Sequence, residues 1–255
     1  MKVSQGGFEL VKPARFDENF SQNSEDGAHW FRSPGLVDYP AALTAMETYV
    51  QAIHGQRAGE LVWLLEHPPL YTAGTSANPA DLLDAGGLPV HQTGRGGQFT
   101  YHGPGQRVVY LMLDLSRRGQ DVRAFVRRIE AWVADSLAAL GVTAGCRSGR
   151  PGLWVPRPEK GPGREDKIAA IGIRVRRWVS FHGVSINVAT DLARFAGIVP
   201  CGIADQGVTS LADLGCNAQM PDLDAALIAT FPRHFGALSE MDAAELACFR
   251  PSRCG

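Results

Sequence analysis

Cysteine is scarce and unpatterned: five residues in 255, at positions 146, 201, 216, 248 and 254, with no CxxC pair. An odd, scattered set argues against a disulfide framework and against a zinc ribbon. Long apolar runs are missing as well. Stretches such as Leu61 to Leu65 and Val108 to Leu113 fall far short of the ~20 residues that a membrane-spanning helix needs, so a membrane is not an expected partner. Neither sign of charge dominates, since 25 basic and 26 acidic side chains leave a net charge of −1. Without a global positive field, nucleic acid is not an expected partner either. Met1 to Phe20 contains Glu9, Asp17 and Glu18 but no apolar core of a signal peptide, which predicts a cytoplasmic location. Several chemical signatures are absent too. There is no GxxxxGK[ST], no HExxH and no clustered Cys/His set, Gly94-x-Gly96 and Gly103-x-Gly105 lack a third glycine, and Ser185 is followed by Asn187 where GxSxG demands glycine. A nucleotide cofactor, a metal centre and serine-hydrolase chemistry are therefore not expected.

What is present is ordinary globular composition, 45% hydrophobic and 20% charged, enough for one large domain or at most two. Residues 1–29 show no periodicity and read as a loosely packed extension, 30–238 as the domain proper and 239–255 as a tail. Pro40 opens a helical pattern through Leu43, Met46, Val50 and Ile53, and Val122 to Leu140 repeats Phe125, Ile129, Trp132, Val133 and Leu137 at helical spacing. Glu60 to Glu66, Leu88 to Gln92, Gln106 to Leu113, Val142 to Cys146 and Gly152 to Val155 read as strands. Lys167 to Val175 and Trp178 to Val188 read as a hairpin turned at Arg176-Arg177. Pro156 to Asp166 reads as a mobile polar insert, and helices are predicted over Thr209 to Leu214, Asp222 to Phe235 and near Asp242 to Phe249. Strands grouped with helices around them, without strict alternation, predict an α+β fold with a mixed sheet.

Three features could carry chemistry. Thr93 to Tyr110 packs five glycines among Arg95, Gln98, Thr100, His102 and Gln106. A tight structural loop is one reading; the other is a backbone left bare at Gly96, Gly97, Gly103 and Gly105 so that a ligand can approach its N–H groups. Cys201 stands between Pro200 and Gly202 in an apolar segment, as a small buried hydrophobe or as a presented thiol. Lys167 begins an apolar strand after the polar insert, as an exposed edge lysine or as an ammonium turned towards the sheet. His102 and His182 are alternative bases.

Arg95-Gly96-Gly97-Gln98-Phe99-Thr100-Tyr101-His102-Gly103-Pro104-Gly105-Gln106-Arg107-Val108-Val109-Tyr110 resembles the signature of the lipoyl(octanoyl) transferases, also called the lipoate-protein ligase B family. The resemblance runs from about Leu36 to Phe235, through His67-Pro68-Pro69, Gly152-Leu153-Trp154-Val155, Lys167-Ile168-Ala169, His182-Gly183, Asn187, Pro200-Cys201-Gly202 and Val208-Thr209-Ser210. It implies the biotin/lipoate protein ligase fold, a mixed β-sheet flanked by helices. It also implies passage of an octanoyl group from acyl carrier protein to a lysine of a lipoyl domain, such as those of the 2-oxoacid dehydrogenases and the glycine cleavage H protein. No cofactor is implied beyond the phosphopantetheine arm that delivers the acyl group, and a monomer is expected. Carried onto matching positions, Cys201 is implied as the acyl-thioester nucleophile and Lys167 as its activating partner. Arg95, Gly96, Gly97, Gln98, Phe99, Thr100, Tyr101 and His102, with Ala170, Ile171, Gly172, Gly183, Val184 and Ser185, are implied to line the octanoyl site. Ala170 replaces a serine common in the family, and Gly183-Val184-Ser185 a more apolar Gly-Leu-Ala. The basic set Arg117, Arg118, Arg123, Arg127 and Arg128 reads as a solvated helix face or as a docking face for an acidic carrier.

Overall fold

A computed structural model describes residues 9–10, 27–199 and 207–241. The chain runs through β1 (Glu9–Leu10), β2 (Ala28–Leu36), α1 (Tyr39–His54), β3 (Glu60–Glu66) and β4 (Leu70–Ala73). β5 (Val90–Gln92) and β6 (Phe99–His102) bracket the glycine-dense loop, and β7 (Gln106–Met112) leads into α2 (Val122–Ala139). Then follow β8 (Gly145–Arg147), β9 (Arg150–Pro156), β10 (Glu165–Arg176), β11 (Val179–Asn187) and β12 (Gly207–Val208). The described chain ends with α3 (Met220–Thr230), α4 (Pro232–Phe235) and β13 (Leu238–Glu240).

Local chemistry accounts for most of these boundaries. Asp38 caps α1 by accepting from Ala41 N, with Pro40 in the first turn, where its missing N–H costs nothing. Asp121 caps α2 through Arg123 N and Ala124 N. The turn between β10 and β11 places Arg177 and Trp178 at φ 50° and 65°, the left-handed pair that a tight hairpin requires. Among the described residues, ten strands form one sheet in the order β1-β8-β9-β10-β11-β7-β3-β2-β13, with β12 beside β10. Its centre is antiparallel, whereas β2–β3, β2–β13 and β10–β12 are parallel. β5-β4-β6 make a small second sheet. This is the mixed, helix-flanked α+β arrangement that the pattern predicts.

Period-two alternation divides the large sheet into two packed faces. Leu61, Trp63 and Leu65 of β3 and Val108, Tyr110 and Met112 of β7 pack with Met46, Val50 and Ile53 of α1. Their neighbours Val62, Leu64, Val109 and Leu111 pack on the opposite side with Phe125, Ile129 and Trp132 of α2 and Leu223 and Leu227 of α3. A third cluster, Tyr71, Ala73, Phe99, Tyr101, Phe195 and Ile198, fills the space under the small sheet.

Three expectations need correction. Thr209 to Leu214 is a run of turns, because Arg157 and Asn187 draw on Thr209's side chain and carbonyl respectively. The Pro156–Asp166 insert is tied down: Lys160 Nζ donates to Asp166 at 2.5 Å, and Arg157 Nη1 donates to Thr209 Oγ1 at 2.8 Å and to Asp213 at 2.6 Å. Of the five arginines read as one basic face, Arg118 is wholly buried, paired with Glu60 and donating to Phe235 O at 2.8 Å. Arg128 is buried too, donating to His234 O at 2.9 Å. Only Arg117, Arg123 and Arg127 remain exposed. The amino-terminal extension contributes β1, which pairs Glu9 and Leu10 with Cys146 and Gly145. The helix expected near Asp242 to Phe249 lies outside the described residues.

Candidate active site

A cavity of about 470 Å³ opens between the glycine-dense loop, β10 and β11. Arg95, Gly96, Gly97, Gln98, Phe99, Thr100 and His102 line one side; Lys167, Ala170, Ile171 and Gly172 come from β10, and Gly183, Val184 and Ser185 from β11. Each of these was expected there. Tyr101 was also expected and does not line the cavity. Its ring packs into the cluster under the small sheet, 5.6 Å from those of Tyr71 and Phe195. Cys201 lies outside the described residues. The chain re-enters the described structure at Gly207, six positions later, paired with Asp166, while Val208 pairs with Lys167.

Sequence reasoning missed several lining residues. Tyr39, the first residue of α1, falls one position before the helical pattern read from Pro40, and Val122 and Val126 lie within the segment read as a helix from its other residues, yet all three border the cavity. Tyr110 and Pro151 do so as well. Nothing in one-dimensional spacing indicates that these elements converge.

Arg95 builds the wall. Its guanidinium donates to Thr72 O at 2.9 Å, Thr72 Oγ1 at 2.7 Å, and the carbonyls of Gln98 and Gly96 at 3.0 Å. A planar fork with five N–H donors suits this task, folding the loop over its own backbone carbonyls. A chain of neutral hydrogen bonds then crosses the floor. Asn187 Nδ2 donates to Thr209 O at 2.9 Å, so its Oδ1 accepts from Gln106 Nε2 at 2.9 Å. Gln106 Oε1 therefore faces His102 Nδ1 at 2.7 Å, which makes that nitrogen the donor and leaves Nε2 to accept from Thr72 Oγ1 at 3.3 Å. One amide orientation sets the next.

Burial dominates the histidines here. It pushes His102 down to about 3, His67 to about 4 and His182 to about 3, because an imidazolium would have to leave water next to Arg95 and other histidines. His67 lies with Nδ1 2.6 Å from Val37 O and Nε2 2.7 Å from the Tyr110 hydroxyl; the Val37 bond by itself favours the protonated ring, and burial outweighs it. None of the three is a base matched to neutral pH. Their folded values lie below the ordinary 6.5, so the unfolded chain binds protons first as pH drops. The stability they contribute is complete above pH 6.5 and is lost as pH falls towards 3 to 4. Imidazole ¹⁵N shifts of these residues are expected to stay flat from pH 8 to 5, with the urea midpoint level above pH 6.5 and falling below it. A titration of any of them centred near 6.5 would contradict this.

Lys167 occupies one end of the cavity. β10 bulges here, Lys167 pairing with Trp154 and Ala169 with the adjacent Leu153, and such an extra residue re-aims the side chains around it. The ammonium is inside the fold, 4.5 Å from the centre of the Trp154 ring and donating to Pro151 O at 3.2 Å. Lys167 is only 7% exposed, which rules out the edge-lysine reading. Gly152 is required beside it: at φ +123° a Cβ would fall 2.4 Å from Ala169 O. The opposite end, where Ile173 pairs with His182, is roughly 20 Å along β10 at a strand rise of ~3.3 Å per residue. There Tyr39 OH, His182 Nε2 and Gln98 Oε1 are buried without a hydrogen-bond partner among the described residues. Burial also drives the Tyr39 phenol up to about 12.

Residues 38–232 match the lipoyl protein ligase A/B catalytic domain. An octanoyltransferase of Paracoccus denitrificans is 60% identical over 215 residues, covering 82% of this chain and 98% of that protein. An octanoyltransferase of Caulobacter vibrioides is 59% identical over 214 residues, 84% of this chain and 95% of that protein. Among solved structures, a bipartite lipoate protein ligase from Thermoplasma acidophilum, studied with its E2 lipoyl domain, superimposes with a TM-score of 0.61 at 18% identity, over 88% of this chain and 90% of that one. That likeness speaks for the fold, and the sequence identities speak for the branch. The chain belongs to the lipoyl protein ligase A/B catalytic-domain family, among its octanoyltransferases.

Proposed function

We propose that this enzyme takes an octanoyl group from the phosphopantetheine thioester of acyl carrier protein and places it on the side-chain amine of a lipoyl-domain lysine, through a thioester on Cys201. The Cys201 thiolate attacks the donor carbonyl, and the carrier thiolate leaves and takes up a proton. The acceptor amine then attacks the acyl-cysteine, loses its proton, and returns Cys201 as thiolate. The first exchange is thiol for thiol, so no ATP is needed; amide formation drives the second. Free cysteine, with a pKa of ~8.5, is a few per cent thiolate at neutral pH, and the Lys167 ammonium favours the charged form. Lys167, having given its proton to the departing carrier thiolate, is the neutral amine that accepts the proton in the second step.

The observation that carries this reading is the cavity: apolar walls from Val108, Ala169, Ile171 and Val184, ending at a buried lysine whose strand partner, Val208, stands seven positions after Cys201 in the sequence. Octanoyl-carrier protein, mixed with enzyme and a lipoyl domain without nucleotide, is expected to yield octanoylated domain by intact mass. A strict requirement for ATP, with exchange between ATP and pyrophosphate, would move the chain to the adenylate-forming ligases.

The unpartnered polar atoms at the end remote from Lys167 bear on chain length. They have no hydrogen-bond partner among the described residues, and a tail long enough to reach them lays methylenes against polar atoms, which is unfavourable. Tyr39→Phe removes one such atom, and is expected to raise kcat/KM for dodecanoyl relative to octanoyl donors by roughly five- to tenfold. An unchanged ratio would mean that the tail does not reach Tyr39.

A further inference from the structure

Glu130 is an acidic residue in the middle of α2, 7% exposed, on a helix face otherwise occupied by Ile129, Trp132 and Val133. A carboxylate removed from water is costly unless its partners are good ones, and its partners are on view. Gly152 N donates to Oε1 at 3.1 Å, and the Cys146 side chain bonds it as well. The peptide group that supplies the Gly152 N–H has the Pro151 carbonyl at its other end, and that carbonyl accepts from Lys167 Nζ at 3.2 Å. A single peptide unit therefore lies between a carboxylate and an ammonium, its N–H turned to the negative group and its C=O to the positive one. Each charge polarises the peptide in the sense that strengthens the other's hydrogen bond. The bulge at Lys167 and the close approach of Gly152 to Ala169 O hold the two strands in this register.

We propose that Glu130 is a positioning residue for the octanoyl transfer: acting through the Pro151–Gly152 peptide, it holds Lys167 charged and aimed into the cavity. This rests on the reading of Lys167 as the activating group for Cys201. Glu130 does not border the cavity, so it acts on Lys167 and not on the acyl chain. The titratable and charged groups that face it are Cys146 from β8, Lys167 from β10 and Arg127 on α2 itself.

Glu130→Gln separates the charge from the hydrogen bond, because its Oε1 still accepts from Gly152 N. The alkaline limb of the rate profile for octanoyl transfer is expected to move about one pH unit lower, since an ammonium that has lost a neighbouring negative charge gives up its proton sooner. At neutral pH kcat falls roughly five- to twentyfold, while KM for donor and acceptor is unchanged. A second measurement needs no change at Glu130: the Gly152 amide ¹⁵N shift should follow protonation of the Glu130 carboxyl, which burial pushes up from its ordinary value, and should also move at fixed pH in Lys167→Met. A limb that does not move in Glu130→Gln, or a Gly152 amide that responds to only one of Glu130 protonation and Lys167→Met, overturns the proposal, and the amide measurement decides the matter if Glu130→Gln does not fold. Lys167→Met separates the two readings. Full activity in that variant removes the role assigned to Lys167 and the proposal with it; an inactive Lys167→Met beside an unmoved Glu130→Gln profile removes Glu130 alone.

Discussion

Cys201→Ser is expected to abolish the acyl-enzyme and to lower octanoyl transfer by at least about 10³-fold. The substitution keeps the size and one hydrogen-bonding group but exchanges a thiol, easily ionised near neutrality, for a hydroxyl that is not. A serine in that position would need a base strong enough to take a far less acidic proton. The histidines at this cavity are no substitute, since burial drives His102 and His182 down to about 3. Any oxygen ester that did form would expel a much poorer leaving group when the acceptor amine attacks. Intact mass after mixing with octanoyl-carrier protein is the direct check. The unaltered enzyme should gain one octanoyl group that hydroxylamine removes, and the variant should gain none. Octanoylated lipoyl domain at an undiminished rate from Cys201→Ser would show that transfer is direct and that the thiol is not the nucleophile.

Lys167→Met is the second large effect, with an expected loss of roughly 10²–10⁴ in kcat, the range that a positioned proton-transfer group supplies. Methionine keeps an unbranched apolar stem against Trp154, where the lysine ammonium now lies 4.5 Å from the ring centre, so packing is nearly preserved and the charge is what is removed. The sign of the effect on the thiol follows from the charge. Without a neighbouring cation the thiolate loses its stabilisation, and the pH midpoint for alkylation of Cys201 should rise by about one unit. Transfer from pre-formed acyl-enzyme to the lipoyl domain should slow as well, because the acceptor amine has lost its proton acceptor. An alkylation profile that does not move, together with kcat within threefold of the unaltered enzyme, would leave Lys167 a packing residue.

Much of the fold was legible in one dimension because its elements carry strong local signals. Glu60–Glu66 is a strand on both readings, and α1 and α2 begin where Asp38 with Pro40, and Asp121, cap them. The hairpin of β10 and β11 was visible from its alternation. Elements set by tertiary contact were not. β2, β4 and β12 are short or weakly patterned segments that are strands because a neighbour supplies the ladder. Thr209 to Leu214 has helical composition, yet it is drawn into turns by bonds to Arg157 and Asn187. Arg118 and Arg128 read as surface charge until Glu60 and the carbonyls of His234 and Phe235 are seen to enclose them.

The candidate site divides along the same line. The glycine-dense stretch with Arg95 and His102, and the separate settings of Lys167 and Cys201, stand in the sequence by itself, because those residue types at those spacings are rare. So does membership of the family, through the length of the matching signature. Only the tertiary structure decided that Lys167 faces inward, that Tyr101 turns away from the cavity while Tyr39 turns towards it, and that Glu130 reaches Lys167 across one peptide unit. Those facts depend on a bulge, on which face of a strand is covered, and on a helix laid over two strands. Each brings together residues far apart in the chain, and a local pattern of side-chain types carries no record of such a meeting.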